Sequence, residues 1–365
     1  MCLTDVDRSL IEPRIAALVA ERAGVPAEDA ADADSPIPAA CRSMMDAVVR
    51  QGMTSSEGGK RLRALLALAA YDAFGGSPAT RNAMVDMACA IEVFQTAALV
   101  HDDIIDDSDL RRGKPSAHRA LETRTGDAVI GRGLGLMLGD LLATACVDIA
   151  NDAAGRLADP SALVSAFLTM QREVEIGQVL DLAVEQASLD DPRALVEASL
   201  GVFRWKTASY TTIAPLELAL LAAGADRTDA RAKALTVGVP LGLAFQLEDD
   251  LIDVIGSSRT SGKPVGGDIR EGKRTVLLAD ALEAARDDER EELVAMFRAA
   301  SRDEADVRRA IGLFSSTGAV NRSHERIARL WERSLAAIDA LGLARTSRTR
   351  LTDACARFVP DVAER

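Results

Sequence analysis

The sequence predicts an all-α protein, and three observations support that fold class. Hydrophobic residues make up 48% of the 365 residues but aromatic residues only 3%, so the core is built mainly from Ala, Leu, Val and Ile. Ala and Leu favour helices, whereas the residue types that favour strands are under-represented. Segments with helical apolar spacing follow one another with short breaks, and no stretch of β-branched alternation competes with them. We therefore expect several long helices.

Apolar spacing and breaks place the helices in order along the chain. Residues 3–22 carry apolar side chains at helical spacing, and the Pro-rich acidic stretch "GVPAEDAADADSPIP" that follows indicates a solvated connection. Further helices are expected near residues 39–52, 61–75, 80–107, 126–150, 160–188, 193–223, 228–256, 274–300, 303–314, 317–342 and 346–357. No other linker is evident. We therefore predict an N-terminal helix and connection over residues 1–38 and a single all-α domain over residues 39–365.

Charge and cysteine content exclude several classes of protein. The net charge of -13 argues against a nucleic-acid binder, because such a protein needs a basic face. The five cysteines lie far apart without CxxC spacing, which favours the reducing cytoplasm over a disulfide framework or a zinc site. The N-terminus lacks the basic and apolar regions of a signal peptide. Arg132 and Asp140 interrupt the longest apolar segment, so no transmembrane segment is expected.

An acidic cluster, "HDDIIDDSD", follows the apolar run "FQTAALV" directly. Asp102 and Asp106 are separated by four residues, so on a helix both carboxylates point the same way, one turn apart. Like charges at this spacing destabilise a helix, and a divalent cation removes the conflict. Magnesium prefers carboxylate and phosphate oxygens, so the pair can hold it for a phosphorylated ligand. Taken alone, the cluster is more typical of a solvated helix end with a charge run.

The second acidic cluster makes a metal site the better interpretation. "QLEDDLIDV" places Asp249, Asp250 and Asp253 at the end of another apolar segment, "VGVPLGLAF". Asp249 lies 147 residues after Asp102 (249 minus 102), and two DDxxD motifs that each end an apolar helix are hard to assign to chance. We expect the two motifs to face each other across a cavity with metal ions between them.

Three basic clusters flank the acid motifs and could hold phosphate groups. The first lies at a helix start, where exposed amides also favour an anion, and Arg pairs can bind phosphate oxygens bidentately. Each cluster alone is also typical of solvated helix ends and loops. The clusters are Lys60, Arg61 and Arg63 in "GGKRLR", Arg111 and Arg112, and Lys263, Lys273 and Arg274 in "GKPVGGDIREGKR". Together they supply more cations than one diphosphate needs, which indicates two diphosphate sites.

From "GGKRLR" at residue 58 to "EGKRT" at residue 275, the order and spacing of these motifs resemble the trans-isoprenyl (polyprenyl) diphosphate synthase family, in particular its geranylgeranyl diphosphate synthases. The resemblance implies the isoprenoid synthase fold, with long helices around a central cavity, and a homodimer. It also implies head-to-tail condensation of isopentenyl diphosphate with an allylic diphosphate. The implied cofactor is Mg²⁺, with three ions when substrate is bound.

The resemblance also implies roles for individual residues. The metal ligands would be Asp102, Asp106 and Asp249, supported by Asp103, Asp250 and Asp253. The isopentenyl diphosphate site would comprise Lys60, Arg63, Gln95 and Arg112. The allylic diphosphate would meet the catalytic cations Arg111, Lys206 and Lys263, with Lys273 as a further substrate-binding residue. Thr207 and Gln246 would lie beside the reacting carbons, next to Phe245.

Product length would depend on the helix before Asp102. Its residues Phe94, Ala97 and Ala98 face the same way as Asp102, and one helical turn of about 5.4 Å is close to the length of one isoprene unit. The two small alanines would let a chain pass the depth for fifteen carbons, and Phe94 would then close the pocket. We therefore expect a twenty-carbon product. If Phe94 only packs in the core, the product is longer, and a fifteen-carbon product is the other alternative.

Two other classes of protein use similar motifs. A class I terpene cyclase also ionises a prenyl diphosphate with magnesium, but it would normally carry an NSE-type second metal motif and lack cations for a second substrate. A non-catalytic partner subunit of this fold would show eroded acid motifs. Here the second motif is "DDLID" and both motifs are intact, which favours the synthase.

Overall fold

The computed structural model describes residues 3–24, 38–256 and 265–363, and these residues are predominantly helical. A 3₁₀ turn (Pro78–Thr80), a π-helical segment (Phe203–Ile213) and a two-stranded antiparallel hairpin, β1 (Leu110–Arg111) and β2 (Lys114–Pro115), interrupt the α-helices. The α-helices are α1 (Leu3–Arg22), α2 (Ala39–Ser56), α3 (Leu62–Ala73), α4 (Arg81–Ile105), α5 (Ala117–Thr125), α6 (Ala128–Ala154), α7 (Pro160–Val184), α8 (Pro192–Val202), α9 (Ala214–Ala222), α10 (Arg227–Ile255), α11 (Gly267–Glu271), α12 (Val276–Ala284), α13 (Asp287–Arg298), α14 (Glu304–Ser316), α15 (Ala319–Ala340), α16 (Arg345–Ala356) and α17 (Pro360–Ala363).

The all-α prediction is confirmed, and most helix ends lie within a few residues of their predicted positions. One predicted helix, residues 274–300, is divided into α12 and α13. Ala285 is extended at the break, and the backbone N–H of Arg286 donates to the Glu289 carboxylate at 3.2 Å. This capping contact and the acidic residues of the first turn stabilise a new helix start. The short helices α5, α11 and α17 and the hairpin were not predicted.

The chain divides into two compact units. Unit 1 comprises Met1–Leu168 and Pro215–Ala230, and unit 2 comprises Thr169–Ala214 and Arg231–Arg365. The acid motif that ends α4 belongs to unit 1, and the motif near the end of α10 belongs to unit 2. The predicted single domain over residues 39–365, and the predicted facing arrangement of the two motifs, stay predictions.

Within unit 1, two glycines let α6 pack closely against the end of α4 and against α5. A Cβ atom on Gly139 would lie 2.2 Å from the imidazole of His101, and one on Gly135 would lie 2.8 Å from Cβ of His118 on α5. Only glycine permits these approaches, since real Cβ atoms do not reach such distances. The imidazole of His101 lies 3.3 Å from the Asp140 carboxylate. The helix turn that carries Asp102 is therefore packed directly against α6.

Unit 2 is organised around the π-helical segment that continues α8. A Cβ on Gly177 of α7 would lie 2.2 Å from the backbone N of Lys206. From α10, Gly242 permits a similar approach to Ala208, and the Thr212 hydroxyl donates to the Gly238 carbonyl at 2.7 Å. π-Helical turns often occur at functional sites because they redirect side chains. Here the segment carries Lys206 and Thr207, two predicted site residues.

Within residues 3–24, 38–256 and 265–363, two helical stretches are long and apolar enough to cross a membrane by length and composition. In Pro78–Ile105, 83% of the apolar window is buried within the protein, which is typical of a core helix. In Ala128–Ala154, the corresponding share is 44%. The exposed apolar side chains of α6 include Val129, Ile130, Leu136 and Met137. This face of α6 is the larger uncovered apolar surface of the two.

Candidate active site

The first acid motif lies where α4 ends. The backbone N–H of Asp106 donates to the carbonyl of Asp102 at 2.8 Å, so the helical turn continues through Asp106 and both carboxylates project from the same side. Asp103 is buried and accepts a hydrogen bond from Nε of Arg111 at 2.9 Å. The Arg111 guanidinium also lies 3.6 Å from the Asp102 carboxylate. Burial lowers the pKa of Arg111, but the hydrogen bond to Asp103 and the negative charges of Asp103, Asp102 and Asp106 together outweigh it, so the pKa is raised.

The two consecutive arginines of the hairpin, Arg111 and Arg112, bind different partners. Whereas Arg111 pairs with Asp103, Nη1 of Arg112 donates to the carbonyl of Glu57 at 2.9 Å. A Cβ on Gly59 would lie 3.0 Å from Nη2 of Arg112, so that guanidinium lies against the "GGKRLR" segment. Arg112 occupies the left-handed region (φ 53°) at the hairpin turn, which reverses the chain between the two side chains. The two arginines therefore have separate partners, and their predicted division between two ligands stays a prediction.

Several cations converge near Arg112. Its pKa is lowered, first by burial and then by the positive charges of Arg61, Arg111 and Arg63. Lys60 is exposed and Arg63 is buried at the start of α3, and Gln95 of α4 is half-buried. A cavity of about 340 Å³ opens beside this group, lined among others by Gly58, Gly59, Leu99, Asp103, Arg111 and Arg112. An anion in this cavity would relieve the repulsion among the guanidinium groups.

Arg61 differs from the other cations of its cluster. Its side chain is only 1% exposed and donates to the Glu12 carboxylate at 3.0 and 2.7 Å. A second carboxylate, that of Glu92, lies 3.5 Å away. The sequence grouped Arg61 with the phosphate-binding residues, but its guanidinium is held by these acids inside unit 1. A buried charge that is paired in this way stabilises the local structure rather than meeting a ligand.

The second acid motif in unit 2 joins a chain of hydrogen bonds. The Thr207 hydroxyl donates to Oε1 of Gln246 at 2.8 Å, and Nε2 of Gln246 donates to Oδ1 of Asp250 at 2.9 Å. Asp249 is exposed, whereas Asp250 is buried. Burial and the negative charges of Asp268 and Asp249 raise the pKa of Asp250 well above its ordinary value. Among the described residues, Oδ2 of Asp250 has no hydrogen-bond partner.

These features of Asp250 fit a divalent cation. A buried carboxylate oxygen without a donor, in a field of other carboxylates, is stabilised by a nearby positive charge. In the part of the chain that the structure describes, no group of three or more His, Cys, Asp or Glu side chains could hold a metal ion by itself. Magnesium commonly completes its coordination with water and substrate phosphates. The site therefore fits a metal that arrives with a phosphorylated ligand.

Asp253 organises the loop that follows α10. Its carboxylate accepts hydrogen bonds from the backbone N–H groups of Gly267 and Asp268 at 3.0 and 3.1 Å, which fixes the start of α11. The ammonium group of Lys273 lies 2.8 Å from Glu271 and 3.6 Å from Asp268. Lys273 is thus held in this loop by two acids, and its substrate-binding role stays a prediction. Lys263 lies outside the described residues.

Lys206 pairs with an acid that sequence reasoning missed. Its ammonium group donates to Oδ2 of Asp181 on α7 at 2.5 Å. Asp181 is an acid within the otherwise apolar run "VLDLAV", and such an interruption is the signal that could have identified it. Sequence reasoning also missed Asp268 as a residue of this site. A cavity of about 100 Å³ is lined, among others, by Asp181, Lys206, Thr207, Gln246, Asp250, Asp268 and Lys273.

The aromatic and small residues that we predict to lie along the prenyl chain of the substrate are on two helices, α10 and α4. Phe245 makes an edge-to-face contact with the buried Phe358 at 5.5 Å between ring centroids. On α4, Phe94 and Ala97 are buried, and Ala98 is half-buried. Eight residues separate Phe94 from Asp102, about 12 Å along the helix axis. The role of Phe94 in product length stays a prediction.

Comparison of the sequence with known proteins finds a protein family and relatives whose sequences match this chain over the region of these motifs. A family model described as polyprenyl synthetase matches residues 45–314. The short chain isoprenyl diphosphate synthase of Methanothermobacter thermautotrophicus is 34% identical over 270 residues, covering 73% of this chain and 76% of the relative.

Solved structures give the same result. The geranylgeranyl pyrophosphate synthase of Corynebacterium glutamicum, complexed with isoprenyl diphosphate and magnesium, aligns with a TM-score of 0.82 and 31% identity, over 98% of this chain and 99% of that one. The polyprenyl synthase of Caulobacter crescentus, complexed with calcium and isoprenyl diphosphate, aligns with a TM-score of 0.77 and 27% identity, over 100% and 96% of the two chains.

The convergence of cations at Arg112 predicts that two variants, each lacking one positive charge of the hairpin, differ in their affinity for diphosphate. Arg112→Ala removes a cation whose neighbours are other cations, so we expect the Kd for inorganic diphosphate with magnesium to rise about tenfold or more. Lys114→Ala removes a cation from the same hairpin, but Lys114 pairs with the exposed Glu57 at 2.8 Å. We expect its Kd to change less than threefold, as for other exposed ion pairs. Isothermal titration calorimetry checks both values, and equal losses in the two variants would contradict the assignment.

Proposed function

The chain belongs to the polyprenyl synthetase family and is a prenyltransferase, and we propose that it condenses isopentenyl diphosphate head-to-tail with an allylic diphosphate to give geranylgeranyl diphosphate. The observation that carries the proposal is the divergence of Arg111 and Arg112. One arginine pairs with the first acid motif and the next lies against "GGKRLR". Two neighbouring cations with separate partners could each bind a different diphosphate. A reaction between two diphosphate substrates requires two such binding sites.

The cations of unit 1 would bind isopentenyl diphosphate. Lys60, Arg63 and Arg112 supply positive charge at the start of α3 and on the hairpin, and Gln95 adds an amide on α4. Arginine binds phosphate oxygens bidentately, which also fixes the orientation of the ligand. The nucleophilic double bond would then be held in one position relative to the allylic carbon. Orientation of this kind can contribute several kcal/mol to a two-substrate reaction.

The allylic diphosphate would be the leaving group. Asp102, Asp106 and Asp249 would hold Mg²⁺, three ions with substrate bound, and bound magnesium neutralises charge on phosphate oxygens as the C–O bond breaks. Arg111, Lys206 and Lys263 would place fixed positive charge at the same oxygens, which is electrostatic stabilisation of a developing anion. The ion pairs of Arg111 with Asp103 and of Lys206 with Asp181 hold these side chains in place before substrate arrives. Lys273 would contact the same diphosphate.

Thr207 and Gln246 would lie beside the reacting carbons. The Thr207 hydroxyl donates to Gln246, whose amide N–H₂ donates to Asp250, so the amide orientation is fixed from both sides. Their oxygen dipoles can face an allylic cation without forming a bond to it. Attack by the double bond of isopentenyl diphosphate forms the new C–C bond, and the proton lost from the adjacent carbon passes to the released diphosphate. This proton transfer needs no histidine or cysteine base.

The twenty-carbon product rests on the placement of Phe94. The side chain is 2% exposed, so it lies in the interior of unit 1 on the helix that leads to Asp102. Ala97 and Ala98 leave room one turn before Asp102, and Phe94 would close the path one turn deeper. Relatives with this fold include geranylgeranyl diphosphate synthases, which supports the same length.

A homodimer in the cytoplasm completes the proposal. The exposed fractions of Val129 (82%) and Ile130 (51%) on α6 leave an apolar face that is costly to hydrate. A second copy of the chain would cover it. Among the described residues the cysteines form no disulfide, and Cys89, Cys146 and Cys355 are buried, which suits a reducing compartment.

Dependence of turnover on isopentenyl diphosphate tests the reaction. With magnesium and an allylic diphosphate, we expect a longer prenyl diphosphate only when isopentenyl diphosphate is added, because the C–C bond needs its double bond. Chromatography of the dephosphorylated products measures this outcome. A hydrocarbon or terpene alcohol formed from the allylic diphosphate alone would favour a terpene cyclase and contradict the proposal.

Substitution of Phe94 tests the product length. Phe94→Ala should shift the main product beyond twenty carbons, because it opens the path along α4. As a control, Phe167→Ala removes another fully buried ring from unit 1 and should destabilise the protein by a similar amount, roughly 3–5 kcal/mol, without a change in product. An unchanged product distribution in Phe94→Ala would show that Phe94 only packs in the core.

The mass in solution tests the homodimer. We expect twice the chain mass of 38.6 kDa for wild type and a shift toward one chain mass for Leu136→Glu, which places a charge in the apolar face of α6. Leu10→Glu, at an exposed position on α1, is the control and should remain dimeric. Analytical ultracentrifugation distinguishes the two masses, and a monomeric wild type would refute the assignment of this face.

A further inference from the structure

The N-terminal helix α1 lies outside the residues that the family model matches, 45–314, but it contacts the "GGKRLR" segment. Nη2 of Arg8 donates to the carbonyl of Gly59 at 3.0 Å. Glu12, one helical turn later on the same face, accepts two hydrogen bonds from Arg61 at 3.0 and 2.7 Å. One surface of α1 therefore holds both the backbone before Lys60 and the side chain after it.

The backbone of this segment needs such support. Gly58 and Gly59 have φ values of 74° and 89°, and Arg61 has a φ of 53°. Glycine adopts this left-handed region freely, but for arginine the conformation is strained and persists only where surrounding contacts determine it. The contacts at Arg61 are its hydrogen bonds to Glu12 and to the carbonyl of Ser56, and its ion pair with Glu92.

The same contacts determine the direction of the ligand-binding side chains. Arg61 separates Lys60 from the first turn of α3, which carries Arg63. Glu92 also accepts a hydrogen bond from the backbone N–H of Ala64 at 3.1 Å, which ties that turn to α4. If Arg61 leaves its left-handed conformation, Lys60 and the start of α3 rotate relative to α4 and Arg112. Loss of the contact between Glu12 and Arg61 therefore affects the segment at Arg61, its one non-glycine residue in the left-handed region.

We propose that Glu12 and Arg8 are positioning residues for the isopentenyl diphosphate site, because they hold the strained "GGKRLR" backbone that presents Lys60 and Arg63. The inference rests on the proposed function of those two cations. It assigns to α1 a role in the affinity for one substrate, in addition to packing. The allylic substrate meets other side chains, so its binding is independent of α1.

The chain offers a matched control on the same helix. Arg22, at the other end of α1, donates to Asp148 at 2.7 Å and pairs with Asp152, both on α6. Loss of Arg22 removes an α1 ion pair of the same kind at a position far along the helix from Arg8 and Glu12. A general loosening of α1 would appear in both variants, whereas loss of positioning appears only with Glu12 and Arg8.

The experiment measures kcat and both KM values for the full chain and its variants. Glu12→Ala should raise the KM for isopentenyl diphosphate about tenfold, since small misplacements of binding groups have effects of this order. Arg8→Ala should raise it about threefold, and Glu12→Gln, which keeps one acceptor, should lie between wild type and Glu12→Ala. Arg22→Ala should stay within twofold, and the KM for the allylic diphosphate should stay within twofold throughout.

Thermal unfolding confirms that each variant is folded at the assay temperature. The Glu12 side chain is 35% exposed and Arg8 is exposed, so neither substitution opens a core cavity. Equal KM values in Glu12→Ala and Arg22→Ala would overturn the inference. So would a lower KM for isopentenyl diphosphate in Glu12→Ala, which would mean that Glu12 acts only through its negative charge, or equal increases for both substrates.

Two reference measurements separate this inference from the proposed function. Wild-type turnover that does not depend on isopentenyl diphosphate, or an unchanged KM in Lys60→Ala, would contradict the proposed function itself. If wild type and Lys60→Ala behave as proposed while Glu12→Ala matches Arg22→Ala, only the role of α1 is wrong.

Discussion

Carboxylates at the ends of two apolar helices, one in each unit, are the constraint on which the proposed function depends. Asp102 and Asp106 at the end of α4 repel each other at one-turn spacing, and Asp250 near the end of α10 is buried among other acids. Without ligand, protein cations offset part of this charge: Arg111 pairs with Asp103, and Lys206 pairs with Asp181. The charge that remains suits a metal and a diphosphate, and the surrounding helices fix the side chains that would receive them.

Close helix packing holds these groups in place. In unit 1, Gly139 of α6 admits the ring of His101 next to Asp102, and in unit 2, Gly177 of α7 admits the backbone of Lys206. The π-helical segment then directs Thr207 toward Gln246, whose amide reaches Asp250. Glycine therefore allows the close backbone approaches that place His101 beside Asp102 and Lys206 beside α7.

Much of the fold and the charged part of the site could be predicted from sequence, because helical periodicity and i,i+4 spacing are local. Asp102, Asp106 and the arginine pair were identified in this way. The partner of Lys206 could not be, since Asp181 lies on a different helix and its pairing depends on tertiary contact. The burial of Arg61 was missed for the same reason: "GGKRLR" does not distinguish a guanidinium that meets a ligand from one that meets Glu12 and Glu92. The π-helical segment has no recognised sequence signal.

The most direct test of the account compares kcat in three Asp→Asn variants that keep side-chain size. We predict that Asp102→Asn and Asp249→Asn each lower kcat at least about 100-fold, because each removes charge that would hold metal at the leaving group. Asp107→Asn should stay within about threefold, since Asp107 pairs with Arg132 at 2.6 Å and Asn tolerates its φ of 50°. A wild-type rate in either Asp102→Asn or Asp249→Asn would contradict the claim that both acid motifs serve one reaction.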